Sequence, residues 1–304
     1  MQLGLIGLGK MGGNMARRLR RSGIEIVGFN RDLEVTNALA SECGLVPAES
    51  AADMVAKLEA PRIVCLMLPA GDVTESYVTE MRDLFEPGDI LVDGANSFYK
   101  DSLRRSESLA EAGIGFVDAG VSGGVWGLEN GYALMVGGSD DAFARLRPVV
   151  ETLAPAADRG WVHTGPAGSG HFAKMIHNGI EYGMMQAYAE GFALLKGRDD
   201  FNIDLAQLAE SWRHGSVVRS WLLDLTATVL ADDQDLESVE AFVADSGEGR
   251  WTALEGIEQG IPTPVMSLAL MARFSSQGQQ DFSSKLLAMM RNQFGGHEVQ
   301  TADG

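Results

Sequence analysis

Six residues near the start of the chain narrow its possible folds more than any others. Gly7-Leu8-Gly9-Lys10-Met11-Gly12 follows the apolar run Gln2–Gly7 and opens an amphipathic stretch over Met11–Ser22. Met11, Met15 and Leu19 recur there at four-residue steps, the spacing of one helix face. Glycines at this spacing allow a tight turn, close approach of backbone to a ligand, and close packing of helix on strand. The helix beyond the loop points free N–H groups and the positive end of its dipole back at it. A pyrophosphate is the ligand such a loop suits. Gly7, Leu8, Gly9, Met11 and Gly12 are therefore the first candidate binding residues, with a dinucleotide as the ligand.

Beyond this loop the chain repeats one alternation. Ile24–Phe29, Arg62–Leu68, Asp89–Asp93, Gly115–Asp118 and Tyr132–Val136 read as strands. Several are apolar throughout, as in strands covered on both faces. Helix patterns separate them at Glu34–Glu42, Ala51–Lys57, Val73–Leu84, Asp101–Ala112 and Asp141–Leu153. Alternation of this kind predicts an α/β Rossmann-type, doubly wound parallel sheet. After about residue 165 the strand signals stop. The spacing predicts a long helix over 171–195, then helices near 204–214, 216–230, 235–245, 250–259, 263–275 and 281–293. The composition of Gly165-Pro166-Ala167-Gly168-Ser169-Gly170 marks the boundary. The expected organisation is a dinucleotide-binding domain over 1–165 and an all-α domain over 166–304.

The end of the second strand bears on the choice of dinucleotide. An acid there hydrogen-bonds a ribose 2′-hydroxyl, whereas a nearby arginine accommodates a 2′-phosphate. The chain has Asn30-Arg31-Asp32: a neutral residue, a cation and an acid. The signals conflict, so the expectation is NADP or dual use, with NAD open.

Charge excludes other partners. Lys and Arg number 24 against 42 Asp and Glu, a net charge of −18. Such a surface repels nucleic acid and anionic membranes. No run approaches the ~18 apolar residues of a membrane span, and Lys10 and Asn14 interrupt the apolar start, so a cytoplasmic location is expected. Cys43 and Cys65 lack metal-ligand spacing, and Cys65 reads as a buried apolar residue. An anionic ligand would need a local gathering of cations.

The long helix carries a polar stripe. Lys174, His177, Asn178 and Glu181 fall at i, i+3, i+4 and i+7 and share one face. A solvated face with a Lys–Glu pair is the bland alternative. Against it stand the apolar surroundings of Phe172, Met175, Ile176 and Ile180, and two glycines, Gly179 and Gly183, which each cost about 1 kcal/mol in a helix. Glycines there suggest that another element or a ligand comes close. Lys174 and Glu181 lie about 10 Å apart along the axis, far enough to act on opposite ends of a short substrate.

Four segments together resemble the 6-phosphogluconate dehydrogenases, in their short form. They are the opening glycine loop, Asp93-Gly94-Ala95-Asn96-Ser97, Gly120-Val121-Ser122-Gly123-Gly124, and Gly168 through Tyr182. The resemblance implies oxidative decarboxylation of 6-phosphogluconate to ribulose 5-phosphate, without a metal. It implies Lys174 as general base, Glu181 as general acid, and His177 and Asn178 beside them. Asn96, Ser122, Gly123 and Gly124 would contact the sugar acid, and Tyr182, Arg250, Thr252 and Arg273 its phosphate end. Arg250 stands where the family usually has lysine, which alters the geometry of that contact. Arg291 and His297 match a tail motif that reaches a neighbouring subunit, implying a dimer or tetramer. Leu68, Ala70 and Asn96 would complete the cofactor set with Asn30, Arg31 and Asp32. A β-hydroxyacid dehydrogenase of the 3-hydroxyisobutyrate type shares the glycine loop and the lysine. A non-catalytic dinucleotide sensor needs neither Lys174 nor Glu181.

Overall fold

Parallel pairing dominates the first half of the computed structural model, which describes residues 1–278 and 281–295, the side chains of 281, 292, 294 and 295 excepted. Two compact units divide at Ile176/His177. In the first, strands β1 (Gln2–Ile6), β2 (Glu25–Phe29), β3 (Val46–Pro47), β4 (Ile63–Leu66), β5 (Ile90–Asp93), β6 (Gly115–Ser122), β7 (Ala133–Gly138) and β8 (Trp161–Gly165) form one sheet in the order β3-β2-β1-β4-β5-β6-β7-β8. Helices α1 (Lys10–Arg21), α2 (Leu33–Cys43), α3 (Ala51–Lys57), α4 (Asp72–Leu84), α5 (Tyr99–Ala110), α6 (Gly127–Asn130) and α7 (Asp140–Leu153) connect them.

Alternation along each strand feeds two cores, one on each face. Leu3, Leu5 and Ile63 pack with Met15 and Leu19 of α1 and Leu146 and Val150 of α7. Ile6, Val64 and Leu66 pack with Met54 of α3, Met81 of α4 and Leu109 of α5. The sheet is thus doubly wound, but it is not wholly parallel. β6 and β7 are antiparallel, with Ala119 opposite Val136. Only residues 123–132 join them, too few for a crossover that would return the chain in the same direction. β3 and β8 are edge strands that the hydrophobic pattern does not predict.

A buried ion pair anchors one rim of the sheet. Arg105, 1% exposed, donates to Asp93 Oδ2 at 2.8 Å, to Ser97 Oγ at 3.1 Å and to Glu75 Oε2 at 2.9 Å. Arg104 also grips Glu75, at 2.7 and 2.9 Å. The Arg104 guanidinium, with Arg105 behind it, outweighs partial burial and holds the Glu75 carboxyl at about 2. A depressed carboxyl stabilises the fold above its ordinary range near 4.5 and loses that contribution as pH falls toward 2. Glu75→Gln is expected to lower stability at pH 7 by about 1 kcal/mol, an amount limited by solvent screening, and to be nearly silent at pH 2. Urea midpoints at the two pH values check this.

α8 (Ser169–Lys196) is one continuous helix that leaves the first unit and enters the second. The second unit adds α9 (Leu205–Arg213), α10 (Trp221–Asp232), α11 (Glu248–Gln259), α12 (Pro264–Ser276) and α13 (Asp281–Gly295). Phe192, Leu205, Ala209, Leu223, Ala227 and Leu230 make its buried core. Two helix expectations need correction. Residues 235–245 are irregular, because Asp233 accepts from the Asp235 N–H in a local turn and Leu236 takes a left-handed φ of 53°. The helix expected from 216 begins instead at Trp221, capped by Ser220, whose Oγ accepts from Leu223 N.

Candidate active site

The glycine loop is built as its spacing requires. Gly7 adopts φ 92°, a conformation open to glycine, and a side chain there would press on the Met67 carbonyl. A Cβ on Gly12 would stand 1.9 Å from the Gly7 carbonyl oxygen. Gly9 is different: a Cβ there would meet nothing within 4 Å, so the loop opens to space at that point. No side chain caps α1, and its first turn holds no acid. The leading N–H groups of α1 are thus presented to an incoming anion, and a dinucleotide pyrophosphate suits them.

Asn30 ties this loop to β2. Its Oδ1 accepts from Leu8 N at 3.1 Å and its Nδ2 donates to the Asp32 carbonyl at 3.3 Å. Asp32 caps α2, its Oδ1 accepting from Glu34 N at 3.0 Å. Arg31 and Asp32 are both exposed at the strand end. Leu68 is partly buried against the core, Ala70 is exposed beyond it, and Met11 packs on the other core face.

Two loops at the sheet edge carry the next candidates. Asn96 is exposed on the loop after β5, directly above the Asp93–Arg105–Ser97 network. Asp93 Oδ1 also accepts from Ala95 N at 3.0 Å, so the loop is fixed from below while Asn96 faces out. After β6, Ser122 leads into Gly123 and Gly124, with φ 142° and 53°, and a 3-10 turn over Gly124–Trp126. α1 holds this loop from the side: Asn14 donates to the Val125 carbonyl at 3.2 Å, and Arg18 to the Leu128 carbonyl at 3.1 Å.

Lys174 is 7% exposed on α8. It lies against Gly120 of β6, where a Cβ would come within 2.4 Å of its own Cβ. The start of α8 is seated on the sheet by Asp118, which accepts from Gly168 N at 2.6 Å and His171 N at 2.7 Å. His171, also buried, pairs through Nδ1 with Ser102 Oγ of α5 at 2.7 Å. No motif or spacing singles out Asp118 or Arg105 in the sequence, and His171 lies within the Gly168–Tyr182 segment without a role read for it. A charged residue inside the apolar run Phe116–Ala119 is the one available signal for Asp118.

In the second unit, His177, Asn178 and Glu181 lie close together. His177 Nδ1 is 3.2 Å from Asn178 Oδ1 and 3.8 Å from Glu181 Oε2, with the imidazole and carboxylate each well open to solvent. Tyr182 is buried, and its hydroxyl is 3.0 Å from Ser246 Oγ. The Arg273 guanidinium lies over the Tyr182 ring at 3.6 Å and donates to the Ala244 carbonyl at 2.9 Å. Arg250 donates to Asp245 at 2.6 Å and stacks over Phe274 at 4.4 Å. Burial raises the Asp245 carboxyl, but the Gly247 N–H and the Arg250 guanidinium outweigh it, leaving the group below its ordinary value. Arg250 thus stands in an ion pair rather than alone. Thr252 is buried on α11 and packs where Gly179 leaves room, 2.6 Å from where a Cβ would be; Gly183 similarly makes way for Val265. Tyr182, Arg250 and Arg273 therefore gather around one patch of the second unit. Arg291 is exposed on α13, and His297 lies outside the described residues. Among the described residues, no cluster of His, Cys, Asp and Glu could hold a metal ion.

A doubly wound sheet with an open glycine loop, followed by a helical unit, defines a two-part dinucleotide-binding oxidoreductase. The sequence family described as the NAD binding domain of 6-phosphogluconate dehydrogenase matches residues 2–165, and that described as its C-terminal domain matches 170–302. An NAD(+)-dependent, decarboxylating 6-phosphogluconate dehydrogenase of Haloferax volcanii is 41% identical over 305 residues, covering 100% of both chains. The decarboxylating enzyme of Synechococcus elongatus is 37% identical, covering 94% of this chain and 64% of its own. A solved 6-phosphogluconate dehydrogenase of Plasmodium falciparum, described apo, with NADP+ and with 6-phosphogluconate, superposes with TM-score 0.84 at 30% identity, over 99% of this chain and 66% of that one. A 3-hydroxyisobutyrate dehydrogenase of Mycobacterium tuberculosis shares the fold alone, at TM-score 0.72 and 24% identity, over 92% and 94%. This chain belongs to the 6-phosphogluconate dehydrogenase family, and it spans about two thirds of that family's longer members.

Proposed function

We propose that this chain oxidises and decarboxylates 6-phospho-D-gluconate to D-ribulose 5-phosphate and CO2, reducing a nicotinamide dinucleotide. The observation that carries the reading is Lys174, buried against Gly120 and held on a helix that the family match covers. The dinucleotide, when bound, supplies the hydride acceptor, and its phosphates suit the uncapped start of α1. Lys174 takes the proton of the C3 hydroxyl as hydride leaves C3. The resulting β-keto acid sheds C1 as CO2, because the ketone receives the electron pair. Lys174, now an ammonium, donates to the developing enolate oxygen. Glu181 delivers a proton to the carbon that becomes C1 of the product. Asn96, Ser122, Gly123 and Gly124 hold the sugar acid, with His177 and Asn178. Tyr182, Arg250, Thr252 and Arg273 serve the phosphate end, and Arg250 must exchange Asp245 for it.

Steady-state turnover with 6-phosphogluconate, following CO2 and reduced cofactor together, tests this. One CO2 per cofactor reduced is expected. Equal or faster turnover of 3-hydroxyisobutyrate would transfer the chain to the β-hydroxyacid dehydrogenases, and no turnover of either would leave a sensor.

For the cofactor we propose a preference for NAD. The full-length likeness to an NAD(+)-dependent relative supports it, with Asp32, three residues past the end of β2 and at the N-cap of α2, as the acid on the ribose side. Asp32→Thr is expected to raise the NADP/NAD ratio of kcat/KM about tenfold, and Arg31→Ala to lower it by a similar factor. An unmoved ratio in both variants would remove the β2 end from cofactor selection.

We also propose a homo-oligomer formed through the second unit. Ile257, Val265, Leu268, Met271, Leu286 and Leu287 are exposed there, more apolar surface than a lone domain ordinarily shows. Arg291 is proposed to complete a neighbour's site. Mixing inactive Lys174→Met and Arg291→Ala subunits under exchange should restore activity, since one site of a heterodimer then carries neither lesion. No recovery despite exchange would place Arg291 in its own subunit or outside the site.

A further inference from the structure

One buried acid takes no part in the chemistry at Lys174 and Glu181. Asp118 is fully enclosed in β6, between Val117 and Ala119. A carboxylate is costly to bury unless hydrogen bonds replace its water. Here both oxygens are used: Oδ1 by Gly168 N and Oδ2 by His171 N, from 50 and 53 residues away. The leading amides of a helix lack partners within the helix, and its positive end favours an acid. Asp118 is thus a cap for α8 supplied by the sheet rather than by the helix's own sequence.

The seat around it has no slack. A Cβ on Gly170 would stand 2.5 Å from the Asp118 carbonyl oxygen and 2.6 Å from that of Met135. A Cβ on Gly137 would stand 2.6 Å from Asp118 Oδ1. The His171–Ser102 bond fixes the opposite flank. Two residues beyond Asp118 on the same strand, Gly120 touches Lys174. Lys174 follows His171 by about one helical turn.

We propose that Asp118 is a positioning residue for Lys174: its two hydrogen bonds set the depth and rotation of the first turn of α8, and so where the lysine amine meets the C3 hydroxyl. The proposal rests on the reading of Lys174 as the base. Asparagine is the informative replacement. It keeps the shape and one acceptor, and turns an amide NH2 toward the other N–H. Asp118→Ala removes both acceptors.

The test compares both variants with the wild type in cofactor Kd, KM and kcat for 6-phosphogluconate, and the isotope effect with substrate deuterated at C3. Asp118→Asn is expected to lower kcat about 10- to 100-fold, the scale of a displacement near 1 Å, with a larger loss for Asp118→Ala. The isotope effect should rise, because the step at C3 becomes limiting, while cofactor Kd stays within about twofold. Wild-type kcat in Asp118→Asn would overturn the proposal. So would joint loss of cofactor binding and turnover in Asp118→Asn, which would mark a purely structural clamp. Should the wild type itself not turn over 6-phosphogluconate, the reaction assignment fails, and the clamp is read separately. Pyridoxal phosphate and borohydride then label Lys174, with peptide mass spectrometry following the rate. A changed labelling rate in Asp118→Asn with cofactor Kd intact supports positioning, and an unchanged rate refutes it.

Discussion

Lys174→Met is expected to abolish oxidation of 6-phosphogluconate. General acid–base groups contribute ~10²–10⁴-fold, and the proposed mechanism uses one group twice: as base at the C3 hydroxyl and as ammonium at the enolate oxygen. The thioether keeps much of the length and apolar bulk of the stem packed on Gly120, so the fold should persist. Cofactor binding should then be unchanged while kcat falls by at least ~10³-fold. Glu181→Gln removes only the late protonation and should cost less. Single-turnover measurements separate the two: the lysine variant forms no reduced cofactor, and the glutamine variant forms it and stalls. Reduced cofactor formed at the wild-type rate by Lys174→Met would remove the lysine from the mechanism.

Gly12→Ala is expected to have the second largest effect, through the cofactor. Its Cβ would lie 1.9 Å from the Gly7 carbonyl oxygen, which is backbone and cannot swing aside. Either the loop or the start of α1 must move, and the helix N-terminus then no longer aims at the phosphates. Cofactor Kd should rise about 100-fold or more, about 2.7 kcal/mol. Gly9→Ala is the internal contrast, because its Cβ meets no protein atom. It should leave stability nearly untouched and weaken only dinucleotide binding, where the new methyl occupies the approach. Thermal melts with cofactor titrations distinguish the two glycines. Equal stability loss in both would contradict the loop geometry.

The parts of the fold that could be read from sequence are those with strong local physics. β4 is apolar throughout, and β1, β2 and β5 are apolar but for Gln2, Glu25 and Asp93 at their ends, because helices cover both faces; each lies where its run predicts. β3 was invisible because it is two residues long, one of them proline. β8 was missed because Trp161-Val162-His163-Thr164-Gly165 lies at the sheet edge, is half polar and is nowhere fully buried. The false helix over 235–245 has a different cause. Leu236, Val239, Phe242 and Val243 recur at helical spacing, but all four are exposed, so no core rewards the helix. At the candidate site, Lys174 stands out in the sequence because it shares a helix face with His177, Asn178 and Glu181, whereas Asn96 enters only through the family resemblance. Asp118, His171 and Arg105 do not stand out, because each acts through partners that only the fold brings near.

Trp126 sits on the 3-10 turn immediately after Ser122, Gly123 and Gly124, with just over half its surface open to solvent. The other indole of the first unit, Trp161, donates from Nε1 to the Ala157 carbonyl, is tilted against Phe143 and lies under the Arg147 guanidinium. That environment is fixed by the protein itself. A ligand that closes over the Ser122–Gly124 loop is expected to change the hydration of Trp126, while the contacts of Trp161 are made within the protein. The loop therefore carries its own fluorophore. Emission at Trp126, isolated by replacing the remaining tryptophans, offers an optical test of whether 6-phosphogluconate closes over this loop, on a timescale that turnover assays do not reach.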